Sequence, residues 1–371
     1  MKLMSPIHYQ VKAPGKLMIA GEYAVIEPGQ PAVVAAVDRY ITVDAKDSSE
    51  NVLSLPQLGI EEVVWHTEGD SVQFSREDPR LRFIANALSV FTRLAREKSL
   101  SPRPLHLTIT SELDDAASGK KYGLGSSAAI LVSVLAALLH IHRRELPATK
   151  DMIYKLASIA HLKTQGNGSG ADLAASTYGG WIHYKAFRPD WVFARLREVK
   201  KISELLEASW PYLSIPPLTP PPNLHLCVGW TGKAAATGPM VENIGLVREK
   251  QPEVYGLFLQ ESVAAVAQLV EGFNKLDAGQ VMAGMAANRR ALQHLGAYAD
   301  VEIETAGLRK LSGIAEKYGA GKSSGAGGGD CGIAFVEEKD LIPRLYGEWE
   351  TAGILPLELN VSEQGVTVRD M

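Results

Sequence analysis

The run Gly123-Leu124-Gly125-Ser126-Ser127-Ala128-Ala129 leads straight into a strongly apolar stretch, residues 128–139. A glycine turn that opens a helix sets unpaired backbone N–H groups and the positive end of the helix dipole against whatever occupies the turn. An anionic phosphate satisfies both. Ser126 and Ser127 add hydroxyls that either cap the helix or reach a metal ion carried on that phosphate. The pattern therefore demands a buried helix entered through a tight turn. It leaves open whether the turn holds a ligand or is an ordinary serine-capped start.

Two other phosphate motifs fail on context. Gly123, Gly125 and Ala128 have the spacing of the dinucleotide-binding fingerprint, but that motif follows directly on an apolar strand. Residues 114–121, Asp-Asp-Ala-Ala-Ser-Gly-Lys-Lys, are polar and loop-like. Gly321-Lys322-Ser323 ends like a P-loop, yet the required first glycine falls on Glu316.

At 371 residues the chain is long for one core, and two domains are expected. A net charge of −4 argues against nucleic acid or an anionic membrane surface as partner. Cys227 and Cys331 offer neither a disulfide framework nor a metal-binding spacing. Residues 1–12 lack the apolar core of a secretory signal, and 128–139 is too short to span a bilayer, so a cytoplasmic location is expected.

Strand-like segments at 8–13, 17–19 and 32–44 open the chain. Phe83, Ala87, Phe91 and Leu94 share one face of a helix over 83–98, and 105–110 alternates as a strand. After the apolar helix come a second helix at 151–163, a glycine-rich loop at 166–170 and a strand at 180–185. The proline run at 215–222 is stiff and extended, which suits a connection between domains. Beyond it lie a strand at 224–230, helical patterns at 253–277, 279–295 and 302–317, a glycine tract at 319–332 and a strand at 333–336.

Three glycine-rich segments stand far apart in this order: Lys12-Ala13-Pro14-Gly15-Lys16 continuing to Gly21-Glu22-Tyr23-Ala24-Val25, then 123–129, then Lys322-Ser323-Ser324-Gly325-Ala326-Gly327-Gly328-Gly329-Asp330. Together they resemble the three signature motifs of the GHMP small-molecule kinases, over nearly the whole chain. The resemblance implies an α+β fold of two domains. A ribosomal-protein-S5-domain-2-like, ATP-binding N-terminal domain is expected at 1–200, and a ferredoxin-like C-terminal domain at 201–371.

The same resemblance implies roles for particular residues. Lys16 and Asp172 correspond to the catalytic pair. Lys121, Gly123, Leu124, Gly125, Ser126, Ser127 and Ala128 correspond to the ATP-phosphate site, with Mg²⁺ on Ser127. Glu22, Tyr23, Ser169, Gly170, Ser323, Ser324, Gly325, Ala326 and Gly327 fall on the substrate side. Plainer readings exist for several: Asp172 as a helix cap, Lys16 as a solvated lysine, the last glycine run as a tight turn.

Residues 21–29, 165–172 and 178–180 are similar to the subgroup that acts on 5-phosphomevalonate. Members that phosphorylate mevalonate typically carry a metal-binding glutamate eleven residues before the aspartate, where this chain has His161. An acceptor that is itself a phosphate calls for extra cations. Arg289 and Arg290, on a helix spanning 288–292, are candidates because arginine grips phosphate with two parallel hydrogen bonds, and Lys233 is another. The implied reaction is transfer from ATP to 5-phosphomevalonate, giving 5-diphosphomevalonate and ADP, by a monomer or homodimer. Another kinase of the family acting on a hydroxyl, or a non-catalytic ligand sensor on the same fold, are the alternatives.

Overall fold

The computed structural model describes residues 7–115, 118–199, 201–233 and 237–371. Two long strands, β1 (His8–Ala20) and β2 (Pro31–Asp47), pair antiparallel along most of their length and organise the larger sheet. Their register shifts between Pro14 and Gly15 and again between Met18 and Ala20, on either side of Lys16. Such bulges re-aim a side chain without ending the strand. The sheet grows outward through β3 (Val52–Leu55), β4 (Ile60–Glu68), β5 (Ser71–Phe74) and, after helix α1 (Arg82–Glu97), β6 (Leu105–Ser111). β6 pairs with β2 on one side and lies parallel to β3 on the other.

Helices α2 (Ser126–Ile141), α3 (Lys150–Gln165) and α4 (Ala171–Tyr178) follow. α2 is buried almost all round, from Ala128 to Leu139, which is what its unbroken apolar sequence requires. β7 (Trp181–Lys185) pairs with the first half of β2, leaving the second half to β6. Two short helices, α5 (Pro189–Glu198) and α6 (Ile202–Glu207), lead to β8 (Pro217–Leu218), which pairs with β7. The proline run is thus partly tied into the larger sheet rather than free between domains.

The second half contains β9 (His225–Trp230), helices α7 (Thr237–Lys250), α8 (Pro252–Lys275), α9 (Ala278–Ala299) and α10 (Ala306–Ala315), then β10 (Gly319–Ser323), β11 (Cys331–Val336), α11 (Ile342–Thr351), β12 (Leu355–Leu357) and β13 (Thr367–Asp370). Four of its strands form an antiparallel sheet in the order β10-β11-β9-β12. β13 leaves that sheet and pairs with β1. We retain the division at 200/201 as a proposal, in which β8 and β13 lend strands to the sheet of the first domain. The mixed α/β architecture, a larger sheet with helices packed on it beside a four-stranded antiparallel sheet, agrees with the α+β fold expected. Among the described residues no helix is long and apolar enough to cross a membrane.

Candidate active site

The glycine turn is shaped by what touches it. Gly125 is the N-cap of α2, with φ of 80° in the left-handed region, so neither serine is the cap; Ser126 and Ser127 are the first two helical residues. A Cβ on Gly125 would lie 3.0 Å from Cγ of Lys16, and one on Gly123 would lie 2.6 Å from Oδ2 of Asp330. The turn is therefore clamped between the lysine of the first motif and the aspartate that ends the third. Lys16 donates its backbone N–H to the Leu124 carbonyl at 2.8 Å. Its ammonium reaches the Gly123 carbonyl at 3.4 Å and lies 3.9 Å from where a Cβ on Gly325 would stand. All three glycine segments meet around one lysine.

A second helix N-terminus opens on the same cleft. α3 closes on Gly166, whose N–H bonds the Leu162 carbonyl at 2.8 Å, and the loop that follows ends at Gly170, the N-cap of α4. Asp172 stands in the first turn of α4, its Oδ1 accepting from the Leu173 N–H at 2.9 Å. Two buried phenols support this loop from below. Tyr154 and Tyr184 share a hydrogen bond of 2.8 Å, and Tyr184 donates to the Ser169 carbonyl. Burial raises both phenol pKa values, so they stay protonated donors.

Lys16, Lys121, Gly123, Gly125, Ser126, Ser127, Ser169, Asp172, Glu22, Tyr23, Gly325 and Ala326 all line a cleft of about 840 Å³. Leu124 and Ala128 are buried behind it, Leu124 contributing its carbonyl to Lys16. Gly170, Ser323, Ser324 and Gly327 are not on its surface. The two arginines expected to meet an acceptor phosphate are elsewhere. Arg289 is engaged by Glu304 at 2.8 Å and Glu316 at 2.5 Å, and Arg290 is exposed on α9; neither lines the cleft. Lys233 is also off the cleft, its carbonyl accepting from the Asp330 N–H at 2.6 Å.

Several residues expected to meet substrate also join the two lobes. Ser324 donates to the Met18 carbonyl at 2.9 Å and accepts from the Met18 N–H at 3.0 Å. The Tyr23 hydroxyl donates to the Ala326 carbonyl at 2.5 Å. Glu22 forms a buried ion pair with Lys322, which also donates to the Ser323 carbonyl. Burial pulls the Lys322 ammonium below the ordinary lysine range, and Glu22 opposes that shift. Glu22 retains one oxygen, Oε2, without a partner among the described residues.

Sequence reasoning missed Lys322 as a site residue. Its neighbours Gly-Ala-Gly and Ser-Ser carry no sign that β10 places its ammonium in a dry interior. Arg82, His161, Asn167, Glu242 and Asp330 also line the cleft. For Arg82, a helix-opening position was the available signal.

Among the described residues no group of three or more His, Cys, Asp or Glu side chains is placed to hold a metal ion. The oxygen donors of Ser126, Ser127 and Asp172 at the cleft are a hard set. They fit Mg²⁺, which keeps few protein ligands when it is shared with nucleotide phosphates.

Paired helix N-termini, a glycine turn folded around a lysine, and an aspartate on the facing loop define a small-molecule kinase of two lobes. The chain belongs to the GHMP kinases: the family model for the GHMP kinases N terminal domain matches residues 83–180, and that for the GHMP kinases C terminal matches 269–355. It is 35% identical to the phosphomevalonate kinase of Streptomyces sp. (strain CL190), over 95% of this chain and 97% of that one. It is 24% identical to the mevalonate kinase of Thermococcus gammatolerans, over 97% of this chain and 98% of that one. A solved structure of Streptococcus pneumoniae phosphomevalonate kinase, in complex with phosphomevalonate and AMPPNP, superposes with a TM-score of 0.82 at 28% identity, covering 95% of this chain and 99% of that one.

Proposed function

We propose that this chain is an ATP-dependent phosphomevalonate kinase, transferring the terminal phosphoryl group of ATP to (R)-5-phosphomevalonate. The observation that carries the reading is the convergence of all three motifs on Lys16, in a cleft that Asp172 also lines. The relative at 35% identity supports the choice of acceptor.

The acceptor oxygen belongs to a phosphate monoester whose second pKa is near 6, so roughly nine-tenths is dianion at pH 7. It is a competent nucleophile without a base. Its oxygen bonds to the γ-phosphorus of ATP as the bond from that phosphorus to the β-phosphate oxygen breaks. ADP leaves, and no proton has to be removed from the acceptor. The difficulty is repulsion between two polyphosphates, which fixed positive charge offsets. Lys16, Lys121 and the N-termini of α2 and α4 supply that charge. Ser127 and Asp172 are the residues that would hold a Mg²⁺ ion carried in with ATP, which when bound would supply further positive charge. Asp172 orients Lys16 in this scheme rather than acting as a base. We place the activity in the cytoplasm, where ATP is drawn on.

An ADP-release assay with purified protein, ATP and Mg²⁺ tests the reading by comparing 5-phosphomevalonate with mevalonate. Turnover confined to the phosphorylated acceptor is expected. Turnover with mevalonate alone would keep the fold and overturn the acceptor.

A further inference from the structure

Three cations stand among the described lining residues of the cleft, Lys16, Lys121 and Arg82, against the carboxylates of Glu22, Asp172, Glu242 and Asp330. Two of the cations belong to the glycine turn: Lys121 stands two residues before Gly123, and Lys16 is folded against the turn. ATP phosphates bound at that turn engage both. A reaction that brings a second phosphate into the cleft needs a further cation, and Arg289 and Arg290 lie elsewhere.

Arg82 is built for this. It is the first residue of α1 and donates Nη2 to the Thr164 carbonyl at 3.1 Å. Thr164 is itself fixed, accepting from Asn86 at 2.9 Å and donating to the Ala160 carbonyl at 2.8 Å, so the guanidinium has a firm anchor. Among the described residues Arg82 makes no ion pair with a carboxylate, in contrast to Arg289. One of its five N–H donors is spent on the anchor, which leaves the fork open for an anion. Its anchor begins the segment Thr164, Gln165, Asn167, Gly168, Ser169, Ala171, Asp172, every one of which lines the cleft. Arg82 is thus fixed to the residue that opens the Asp172 loop and lines the same cleft as Asp172. A guanidinium matches two oxygens of a phosphate at once.

We propose that Arg82 grips the phosphate carried by the acceptor and thereby makes the site select phosphorylated acceptors over the free alcohol. The proposal rests on the phosphomevalonate kinase reading above.

Steady-state kinetics of Arg82→Gln and Arg82→Lys test it. Arg82→Gln raises KM for 5-phosphomevalonate about 10- to 100-fold, the scale of a lost charge-assisted contact, and leaves KM for ATP unchanged. Arg82→Lys keeps the charge without the fork and recovers part of the loss. Mevalonate, used as a competitor against 5-phosphomevalonate, inhibits wild type and variant equally. A parallel loss for both ligands would assign Arg82 to the shared carboxylate and overturn the proposal. A raised KM for ATP, or no change in either KM, would also overturn it. Wild-type protein that transfers nothing to 5-phosphomevalonate fails the functional reading itself, visibly and before any variant is compared, and the proposal falls with it. Melting curves of the two variants that match wild type exclude misfolding as the cause.

Discussion

Lys322→Met is the most informative single perturbation of the lobe junction. It removes the ammonium from an ion pair whose partners are 0% and 2% exposed. Glu22 already has one oxygen, Oε2, without a partner among the described residues, so the variant strands an entire buried carboxylate. Breaking a buried pair from one side costs about 3–5 kcal/mol, a large share of the ~5–15 kcal/mol that holds a domain of ordinary stability together. Neutralising the stranded partner returns most of that loss. Glu22→Gln combined with Lys322→Met is therefore more stable than Lys322→Met alone, although it carries one more substitution.

Urea unfolding followed by both circular dichroism and tryptophan fluorescence reads these differences, with coincident transitions as the check on two-state behaviour. A loss below about 1 kcal/mol at neutral pH, or a double variant no more stable than the single, would refute the reasoning.

Other expectations are equally direct. Lys16→Met loses far more kcat/KM than Ser126→Ala, because the lysine ammonium reaches the Gly123 carbonyl and stands beside Gly325 of the third motif; near-normal turnover of Lys16→Met would remove it from the mechanism. Gly125→Ala sets a Cβ 3.0 Å from the Lys16 stem at a φ of 80°, so turnover falls together with about 1–2 kcal/mol of stability, both read on one protein preparation. His140, His142 and His183 have pKa values lowered by burial, with Arg143, Arg103 and Lys185 adding to it respectively. The unfolded chain then binds protons first, so stability is lost as pH falls below about 6.5. Melting temperatures measured at falling pH show it, and substituting the three histidines by glutamine flattens the slope.

Helices were legible wherever apolar residues recur at helical spacing or without interruption. The 83–98 pattern became Arg82–Glu97, and the apolar run after the glycine turn became a helix buried almost all round. Strands made of small residues were not. Gly319–Ser323 reads as part of a glycine tract because Gly-Ala-Gly has no alternation to see, and it pairs along its length with Cys331–Val336 only through long-range contact. The same holds for the site. Lys16, Asp172 and the glycine turn stand out because their neighbours are unusual. The Glu22–Lys322 pair spans 300 residues of sequence, and no local pattern announces a contact of that range. Only side-chain chemistry points to Arg289 and Arg290, and chemistry does not say which face of a helix meets a cleft.

The residues joining the lobes bear on why the first and third motifs are so dense in polar groups. Apolar contacts hold two lobes together but tolerate sliding, whereas directional bonds fix register. Ser324 both donates to and accepts from Met18, two residues beyond Lys16 and within the bulged stretch of β1. A small slip of the third motif would therefore carry through Met18 to the lysine on which the whole cleft converges. Ser324→Ala separates register from adhesion. It leaves one buried N–H and one buried carbonyl unpaired, a cost of about 1–3 kcal/mol for each group that water cannot reach, while the apolar packing between lobes is untouched. If the bond sets the position of Lys16, kcat drops more than tenfold at temperatures where the variant is still fully folded, and KM for ATP moves little. If it only glues the lobes, kcat per folded molecule is unchanged and the loss is confined to the melting curve.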